Sequence, residues 1–276
     1  MLRDQPPRVP ELSIVITAST GERPLLPDCL RSIRDTCADA AYEVIVVDNW
    51  SEDGCGEYAI SALRDAVVIS PPARSGFGRN MNLGMSVSRG RFVLICNPDV
   101  RLLNGCVQEL MSFMECTPDV GIAAPQLLNA DGTLQASCRR FHTWASLILR
   151  RGPWAQRFAN SGPVRRFMMA DWDHGSVADI DWAIGACLMV RREALEQVGG
   201  FDERFFLYFE DVDWCLRMHK AGWRVCYVPH ARAVHFYRQE SAKSLMGAAA
   251  AHHLASLVKF ALKHRGRLGL PKGSGA

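Results

Sequence analysis

The sequence lacks several signals that would place it in a common protein class. It has no Gly-x-x-x-x-Gly-Lys phosphate loop and no Gly-x-Gly-x-x-Gly directly after its first strand-like run, which argues against P-loop and nicotinamide enzymes. No run of about 18 apolar residues occurs, so no membrane-spanning segment is predicted. The net charge of +3 is too small to indicate a nucleic-acid partner.

Zinc-ligand spacing is also missing, although the chain contains ten cysteines. None forms a Cys-x-x-Cys pair, which argues against a structural zinc site. Cys96, Cys187 and Cys226 lie within apolar runs, where a free cysteine behaves as a small hydrophobe. The opening segment 1–10 is polar and proline-rich rather than signal-like. We therefore expect reduced thiols and a cytoplasmic location.

Strand and helix patterns alternate along the first half of the chain. Apolar or β-branched runs at 12–17, 43–48, 67–69 and 92–97 predict buried strands, and helical patterns separate them. Such an order predicts an α/β fold with a mostly parallel central sheet flanked by helices. Further strands are predicted at 180–190 and 223–228, and helices at 207–221 and 241–264.

Polar groups follow the predicted strands. Asp48 ends the second strand, where its carboxylate can accept the N3–H of uracil or thymine or bond its own turn. The segment Gly76-Phe77-Gly78-Arg79 leads into a helix. Free N–H groups at a helix N-terminus favour phosphate, and Arg79 could add a charge-assisted bond.

The tripeptide Asn97-Pro98-Asp99 ends the fourth predicted strand. Asp99 is suited to hold Mg²⁺ or Mn²⁺ against a diphosphate, and the alternative is an Asn-Pro turn that caps the helix near Asn104. His235 is a candidate second metal ligand, the alternative being a histidine of the core.

The acidic cluster Glu210-Asp211-Val212-Asp213 opens a predicted helix, whose dipole would stabilise the negative charge. Asp211 is the candidate general base for an acceptor hydroxyl, and Asp213 is expected to be structural. The alternative is a plain acidic first turn.

Taken together, these motifs resemble glycosyltransferase family 2, which has the GT-A fold. The resemblance runs from about Leu12 to His235 and is carried by segments in a specific order and spacing. It departs from the usual pattern at Asn97, where a metal-binding aspartate is common, at Trp50, where a small residue is usual, and at Arg74, where asparagine is common. The segments are 46–54, 76–84, 97–99, 181–192, 199–213 and 221–223.

The resemblance implies one catalytic domain over 1–240, followed by a C-terminal helix and tail at 241–276. The nucleotide-binding half would span about 12–125 and the acceptor and catalytic half about 126–240. The implied roles are donor binding by Thr17, Ser19, Asp48, Gly78, Arg79, Asn82 and Asn97, metal binding by Asp99 and His235, acceptor binding by Trp182, Gly185 and Glu210, and catalysis by Asp211.

Within the family, the Asn-Pro-Asp form with Tyr208 to Asp213 most resembles bacterial rhamnosyltransferases. This implies inverting, Mg²⁺- or Mn²⁺-assisted transfer of L-rhamnose from dTDP-L-rhamnose. The acceptor would be a glycan or a polyprenyl-diphosphate-linked saccharide of cell-surface polysaccharide synthesis. The alternatives are a UDP- or GDP-linked donor, a sugar nucleotidyltransferase, and a non-catalytic module that binds nucleotide sugars or glycans.

Basic and aromatic residues are concentrated between Arg139 and Phe167, and the terminal helix adds Lys259, Lys263, His264 and Arg265. Such side chains suit a lipid headgroup interface. They predict peripheral contact with the cytoplasmic face of the inner membrane, and the alternative is a solvated basic face.

Overall fold

The computed structural model describes residues 9–37, 40–150, 155–236 and 248–270, with side chains in the last range described from 251. The opening residues 1–8, Arg151, the predicted helical residues 241–247 and the tail 271–276 lie outside these ranges.

The first half alternates strands and helices, as the sequence predicts, and it contains two further strands, at 100–102 and 120–128, that the sequence did not predict. Every residue of the first strand is buried, which is typical of a strand covered on both faces. The elements are β1 (Leu12–Ala18), α1 (Leu26–Thr36), β2 (Tyr42–Asp48), α2 (Cys55–Ala62), β3 (Val67–Ile69), α3 (Phe77–Val87), β4 (Phe92–Cys96), β5 (Val100–Leu102), α4 (Cys106–Cys116) and β6 (Val120–Leu128).

The second half is more irregular. The predicted strand 180–190 is divided into three pieces, and the strand predicted at 223–228 extends to His235. The elements are β7 (Cys138–Arg139), α5 (Trp144–Leu149), a 3₁₀ turn (Ala155–Phe158), α6 (Gly162–Met168), β8 (Ala178–Asp179), β9 (Trp182–Ala183), β10 (Cys187–Arg191), α7 (Arg192–Val198), α8 (Glu210–Lys220), β11 (Arg224–His235) and α9 (Ala248–Lys263).

One nine-stranded sheet organises the described residues, in the order β3-β2-β1-β4-β10-β6-β11-β5 with β8 beside β11. Strands β1, β2, β3, β4, β6 and β11 run in one direction, while β5, β8 and β10 run against them. A separate two-stranded sheet pairs β7 with β9. This is the predicted mostly parallel α/β sheet, and the prediction is confirmed.

Apolar residues on the two faces of the sheet enter two separate cores. On β1, Ile14 and Ile16 belong to one core, while Val15 belongs to the other. Ile45 and its neighbour Val46 divide in the same way on β2. Because successive side chains of a strand point to opposite faces, this division explains the near-continuous apolar runs of the sequence.

The pairing register brings the polar groups to one edge of the sheet. Ala18 pairs with Asp48, and Ile16 pairs with Cys96, so β1, β2 and β4 end close together. Strand β10 runs antiparallel to β4, and its first residue, Cys187, also pairs with Cys96. The residues just before β10 therefore reach the same edge as the residues just after β4, where ligands bind in open α/β sheets.

Candidate active site

The predicted base and the predicted metal corner are joined by two consecutive residues. The Asn97 N–H donates to the Ala186 carbonyl at 2.8 Å, and the Gly185 N–H donates to Asp211 Oδ2 at 3.2 Å. Because Gly185 and Ala186 are consecutive residues, the segment after β4 and the start of α8 bond to neighbouring positions of one short backbone segment. The structure thus brings Asn97, Asp99 and Asp211 to the same edge of the sheet.

The predicted metal corner contains two buried oxygens without a hydrogen-bond partner among the described residues. Asn97 Oδ1 and Asp99 Oδ1 are shielded from solvent and accept no hydrogen bond from the described residues. The Nε2 atom of His235 lies 3.4 Å from Asp99 Oδ1. Buried polar atoms normally have partners, so this corner suits a cation that takes oxygen and imidazole ligands. The described residues contain no cluster of three His, Cys, Asp or Glu, so phosphate or water would complete the coordination.

Hydrogen bonds fix the tautomer of His235. Its Nδ1 lies 2.7 Å from Gln135 Oε1, which can only accept, so Nδ1 carries the hydrogen. The Gln135 amide is oriented in turn, because its Nε2 donates to Asn129 Oδ1 at 3.0 Å. The Asn129 Nδ2 donates to Thr133 Oγ1 at 2.9 Å. Nε2 of a neutral His235 therefore presents its lone pair toward Asp99, as a metal ligand must.

The candidate base lies in the first turn of α8. The Val212 N–H donates to Asp211 Oδ1 at 2.8 Å, and the Gly185 bond occupies Oδ2. Burial raises the pKa of Asp211 to about 6, although these two N–H groups and the charge of Arg139 oppose the rise. A carboxylate with such a pKa is ionised at neutral pH and is a stronger base than an exposed aspartate.

Glu210 and Asp213, on either side of the base, have different surroundings. Glu210 is buried, its Oε2 has no hydrogen-bond partner among the described residues, and burial and the charge of Asp211 raise its pKa well above the ordinary value. Asp213 is fully buried and bonds Arg217, Lys263 and His264. Asp213 is thus a structural residue, as the sequence predicts.

Two residues predicted to bind the acceptor, Gly185 and Trp182, have different positions. Gly185 contacts Asp211, whereas Trp182 is buried in the core. A Cβ on Gly185 would lie 3.4 Å from the Phe77 ring and 3.7 Å from Asp211 Cβ, so this backbone contacts both. Trp182 is buried, and its Nε1 donates to the Arg140 carbonyl at 3.0 Å. Trp182 therefore belongs to the apolar core on this face of the sheet.

The residues predicted to bind the sugar donor at the ends of β1 and β2 lie at the same edge of the sheet. Asp48 accepts the N–H of Ser51 at 2.8 Å and that of Gly56 at 3.2 Å, which is the turn geometry that the sequence left as the alternative. Thr17 Oγ1 is buried and has no hydrogen-bond partner among the described residues. Ser19 Oγ accepts a bond from Asn49. If Asp48 accepts the N3–H of a uracil or thymine, it would use the lone pairs that these two backbone bonds leave free.

The glycine-rich start of α3 packs against the segment that precedes α8. A Cβ on Gly78 would lie 2.9 Å from Phe201 Cβ, so glycine is required for this close approach. The Asn82 amide bonds the backbone N–H and carbonyl of Phe201, both at 2.8 Å, and Arg79 forms a 3.7 Å ion pair with Glu203. In the described part of the chain no contact joins Arg79 or Asn82 to Asp99. Both instead line a separate cavity of about 370 Å³ beside Pro71 and Glu203.

Sequence reasoning missed three residues of this region. Phe77 lies in a motif that was recognised for its glycines, and Arg139 was one of many arginines in a basic stretch. Gln135 has no signal in the sequence, because it acts through a contact with a histidine 100 residues away.

Comparison with known proteins identifies the family. The model for "Glycosyl transferase family 2" matches residues 13–199. The chain is a member of glycosyl transferase family 2. A second model, "N-terminal domain of galactosyltransferase", matches residues 174–239.

Among curated relatives of this family 2 enzyme is an N-acetylglucosaminyl-diphospho-decaprenol L-rhamnosyltransferase of Mycobacterium tuberculosis. It is 30% identical over 274 residues, covering 92% of this chain and 84% of the relative. The rhamnosyltransferase WbbL of Escherichia coli is 24% identical, covering 91% of this chain and 93% of the relative.

Among solved structures, the mannosyltransferase PcManGT of Pyrobaculum calidifontis, in complex with GDP-Man and Mn²⁺, superposes with a TM-score of 0.62 at 19% identity. The match covers 92% of this chain and 64% of that one, which is less than two thirds of its length.

These findings confirm the GT-A fold, the family, and glycosyl transfer as the activity. They also support the rhamnosyltransferase-like character that the motifs indicate. None of the helices in the described ranges is both long enough and apolar enough to cross a bilayer.

Proposed function

We propose that this glycosyltransferase moves L-rhamnose from dTDP-L-rhamnose, with inversion, to a hydroxyl of a diphosphate-linked saccharide or another cell-surface glycan. The observation that carries the reaction type is the junction at Gly185 and Ala186, where the Asp211 carboxylate meets the Asn97 and Asp99 corner. The names of the two rhamnosyltransferase relatives support the choice of donor sugar and acceptor.

In this proposal Asp211 acts as the general base. Its carboxylate removes the proton of the acceptor hydroxyl while that oxygen attacks the anomeric carbon from the face opposite the diphosphate. The C–O bond to the diphosphate breaks as the new glycosidic bond forms, and the proton remains on Asp211 until solvent removes it. Positioned proton transfer of this kind contributes about 10²–10⁴-fold to a rate.

The residues of the Asp99 corner fit a divalent cation. Asp99 Oδ1, His235 Nε2 and Asn97 Oδ1 would hold it. Bound there, Mg²⁺ or Mn²⁺ would offset the charge that grows on the departing diphosphate. Gln135 orients His235 for this role. We expect a chelator to remove activity and Mn²⁺ or Mg²⁺ to restore it, and activity that survives exhaustive chelation would contradict the metal role.

The donor nucleotide would bind along the ends of β1 and β2, within the proposed nucleotide-binding half at about 12–125. Thr17 Oγ1, with no partner in the described structure, and the carboxylate of Asp48 are the polar groups that support this assignment. Thr17→Val removes only the hydroxyl, and it should weaken dTDP binding measured by calorimetry. Unchanged dTDP affinity would remove Thr17 from the donor site.

A donor panel tests the proposed function. The protein is incubated with dTDP-, UDP- and GDP-sugars and an acceptor, and nucleoside diphosphate release is measured. We expect turnover with dTDP-L-rhamnose, loss of turnover in Asp211→Asn with donor binding retained, and full activity in the matched control Asp65→Asn, an exposed aspartate. Turnover with another nucleotide sugar would redirect the donor assignment. Binding without turnover for every donor and acceptor would indicate a non-catalytic module.

We also propose peripheral contact with the cytoplasmic face of the membrane that carries the acceptor. Helix α9 exposes Leu254, Val258 and Leu262, which are four residues apart and therefore share one face, with exposed fractions of 57%, 50% and 76%. The neighbouring Lys259 is exposed and donates one hydrogen bond to the Arg204 carbonyl at 2.7 Å, so its ammonium would contact lipid phosphates through its remaining hydrogens.

Co-sedimentation with phosphatidylglycerol vesicles at rising salt tests this contact. Leu262→Glu should reduce binding, whereas Ile60→Glu, at an equally apolar and 57% exposed position on α2, should not. No binding of the unchanged protein at low salt would remove the proposal.

A further inference from the structure

Trp50 is an exposed aromatic side chain at the edge of the sheet where the polar groups meet. It lies two residues after the end of β2, and its exposed fraction is 56%. Its indole Nε1–H donates to the Pro71 carbonyl at 2.9 Å, just beyond the end of β3. Its own carbonyl accepts the Thr20 hydroxyl at 3.3 Å, just beyond the end of β1. Trp50 is thus tied to the segments that follow both neighbouring strands.

The backbone of Trp50 adopts a conformation that is unfavourable for so large a residue. Its φ is 57°, in the left-handed region, where a bulky side chain is an outlier. Burial does not offset this cost, because more than half of the side chain faces solvent. Strained residues of this kind are concentrated at ligand sites, where the surrounding structure holds them in place. The backbone therefore favours a role for Trp50 in binding rather than in packing.

The bond to Pro71 fixes where the ring lies. Since Nε1 is held by a carbonyl beyond β3, the indole lies between the segments that follow β2 and β3. Strand β2 has β3 on one side and β1 on the other. The groups proposed to bind the donor nucleotide, Thr17 Oγ1 and the Asp48 carboxylate, are at the ends of β1 and β2. The ring therefore borders the proposed donor site on the side of β3.

The exposed ring is suited to a planar ligand group. The one polar atom of the indole is already bonded to Pro71, so the ring offers a ligand aromatic carbon alone. Aromatic carbon stacks on the π-face of any nucleobase, whichever base it is. Among the parts of a nucleoside diphosphate sugar, the base is the only aromatic one.

We propose that Trp50 stacks on the nucleobase of the donor and supplies much of the affinity for the nucleotide. The inference rests on the proposed function in one respect, namely that a nucleoside diphosphate sugar binds at the ends of β1 and β2. In this arrangement the ring covers the face of the base, while Asp48 would accept a hydrogen bond in the plane of the base. Trp50 thus provides affinity, and the hydrogen-bonding groups choose between bases.

Calorimetric titrations with dTDP and with inorganic pyrophosphate, both in the presence of Mn²⁺, test the inference. In Trp50→Ala, Kd for dTDP should rise about 5- to 100-fold, whereas Kd for pyrophosphate, which has no base, should change less than about twofold. Trp50→Phe keeps a ring and should lose less. The matched control is Trp144→Ala, at a 52% exposed position on α5, which should bind dTDP as the unchanged protein does.

Two further measurements distinguish contact with the base from support of the fold. Binding of dTDP should quench part of the tryptophan fluorescence, and this part should be absent in Trp50→Phe but present in Trp144→Phe. Glycine tolerates the left-handed conformation, so in Trp50→Gly the relief of strain offsets the lost bond to Pro71. This variant should lose dTDP affinity as Trp50→Ala does, while its melting temperature should change by less than about 3 °C.

Three results overturn the inference. Unchanged dTDP affinity in Trp50→Ala would place the base elsewhere. Equal losses for dTDP and pyrophosphate would mean that Trp50 supports the diphosphate site or the fold, and a much lower melting temperature of Trp50→Gly would identify the fold. Quenching of the same size in Trp50→Phe would exclude contact between the base and this ring.

Nucleotide binding separates this inference from the proposed function, because it requires no turnover. If no sugar is transferred to any acceptor, the proposed function fails, yet Trp50→Ala should still weaken the binding of dTDP, UDP or GDP. If dTDP-L-rhamnose is turned over with the same KM in Trp50→Ala, the proposed function stands and the inference fails. A protein that binds none of the three nucleotides would overturn both.

Discussion

Replacing Asp213 by asparagine tests whether α9 belongs to the catalytic fold. Asp213 is fully buried. Its carboxylate bonds Arg217 Nε at 2.8 Å on its own helix, and Lys263 Nζ at 2.7 Å and His264 Nε2 at 2.8 Å at the end of α9. His264 Nδ1 also lies 3.0 Å from Lys220 Nζ, so the imidazole bridges Lys220 and Asp213.

The substitution leaves two cations, Arg217 and Lys263, near a neutral amide. Removing one partner of such a buried network costs about 3–5 kcal/mol. For 276 residues the unfolding entropy is about 0.6 kcal/mol per kelvin, so the melting temperature should fall by about 5–9 °C. Asp202→Asn is the control. Asp202 bonds Lys263 at 2.6 Å, but its other partner, Arg204, is 67% exposed, so we expect less than half the fall.

The pH dependence gives this prediction a second measurement. Burial alone would raise the pKa of Asp213, but the bonds from His264, Lys263 and Arg217 outweigh burial and hold it below its ordinary value. The stabilisation is therefore present above the pKa of about 4 in the unfolded chain, and it is lost as pH falls through the lower folded value. The difference in melting temperature between the two proteins should shrink below pH 4. If Asp213→Asn and the unchanged protein have the same melting temperature at pH 7, Asp213 does not anchor α9.

Three other changes test the site and its support. The pH profile of kcat/KM should fall about tenfold per unit below pH 6, because Asp211, with its pKa of about 6, must be ionised to act as the base; a flat profile between pH 5 and 7 would contradict its role. Gln135→Leu should weaken Mn²⁺ binding about 10- to 100-fold, measured by titration with electron paramagnetic resonance, while the exposed Gln156→Leu should leave binding unchanged; equal affinities would sink the orienting role of Gln135. Gly84→Ala should destabilise the protein by about 1–3 kcal/mol in denaturant unfolding, because the added Cβ would lie 2.3 Å from Val15 Cγ1; an unchanged midpoint would show that β1 yields at this contact.

The sheet was predictable because its signals are local. Each strand of the parallel part is a short apolar run whose alternate residues, such as Val15 and Ile16, are buried on opposite faces. The family motifs at Asp99 and Asp211 are local as well, so these residues could be named from the sequence. The contact of Asp211 with Gly185 became visible only in the structure.

Other features depend on contacts between distant segments and have no local signal. Gly78 was predicted to bind phosphate, yet glycine is also required at this position because Phe201 packs closely against it. The helical spacing of the sequence predicts an apolar face made of Leu254, Leu257, Val258 and Ala261 on α9, but only Leu257 of these four is buried. The helix buries Leu257 and Phe260, and His264, just after its end, bonds the distant Asp213. A helical pattern cannot contain that information.

The short span from Gly185 to Ala186 links the proposed base to the proposed metal corner, because Gly185 bonds Asp211 and Ala186 bonds Asn97. Because two consecutive residues hold both groups, a shift of this backbone segment would move both of them. Relatives that handle different sugars on this frame would then have to change the lining around that span rather than its length. Attempts to alter which sugar is transferred should accordingly spare residues 185 and 186 and begin with the side chains that surround them.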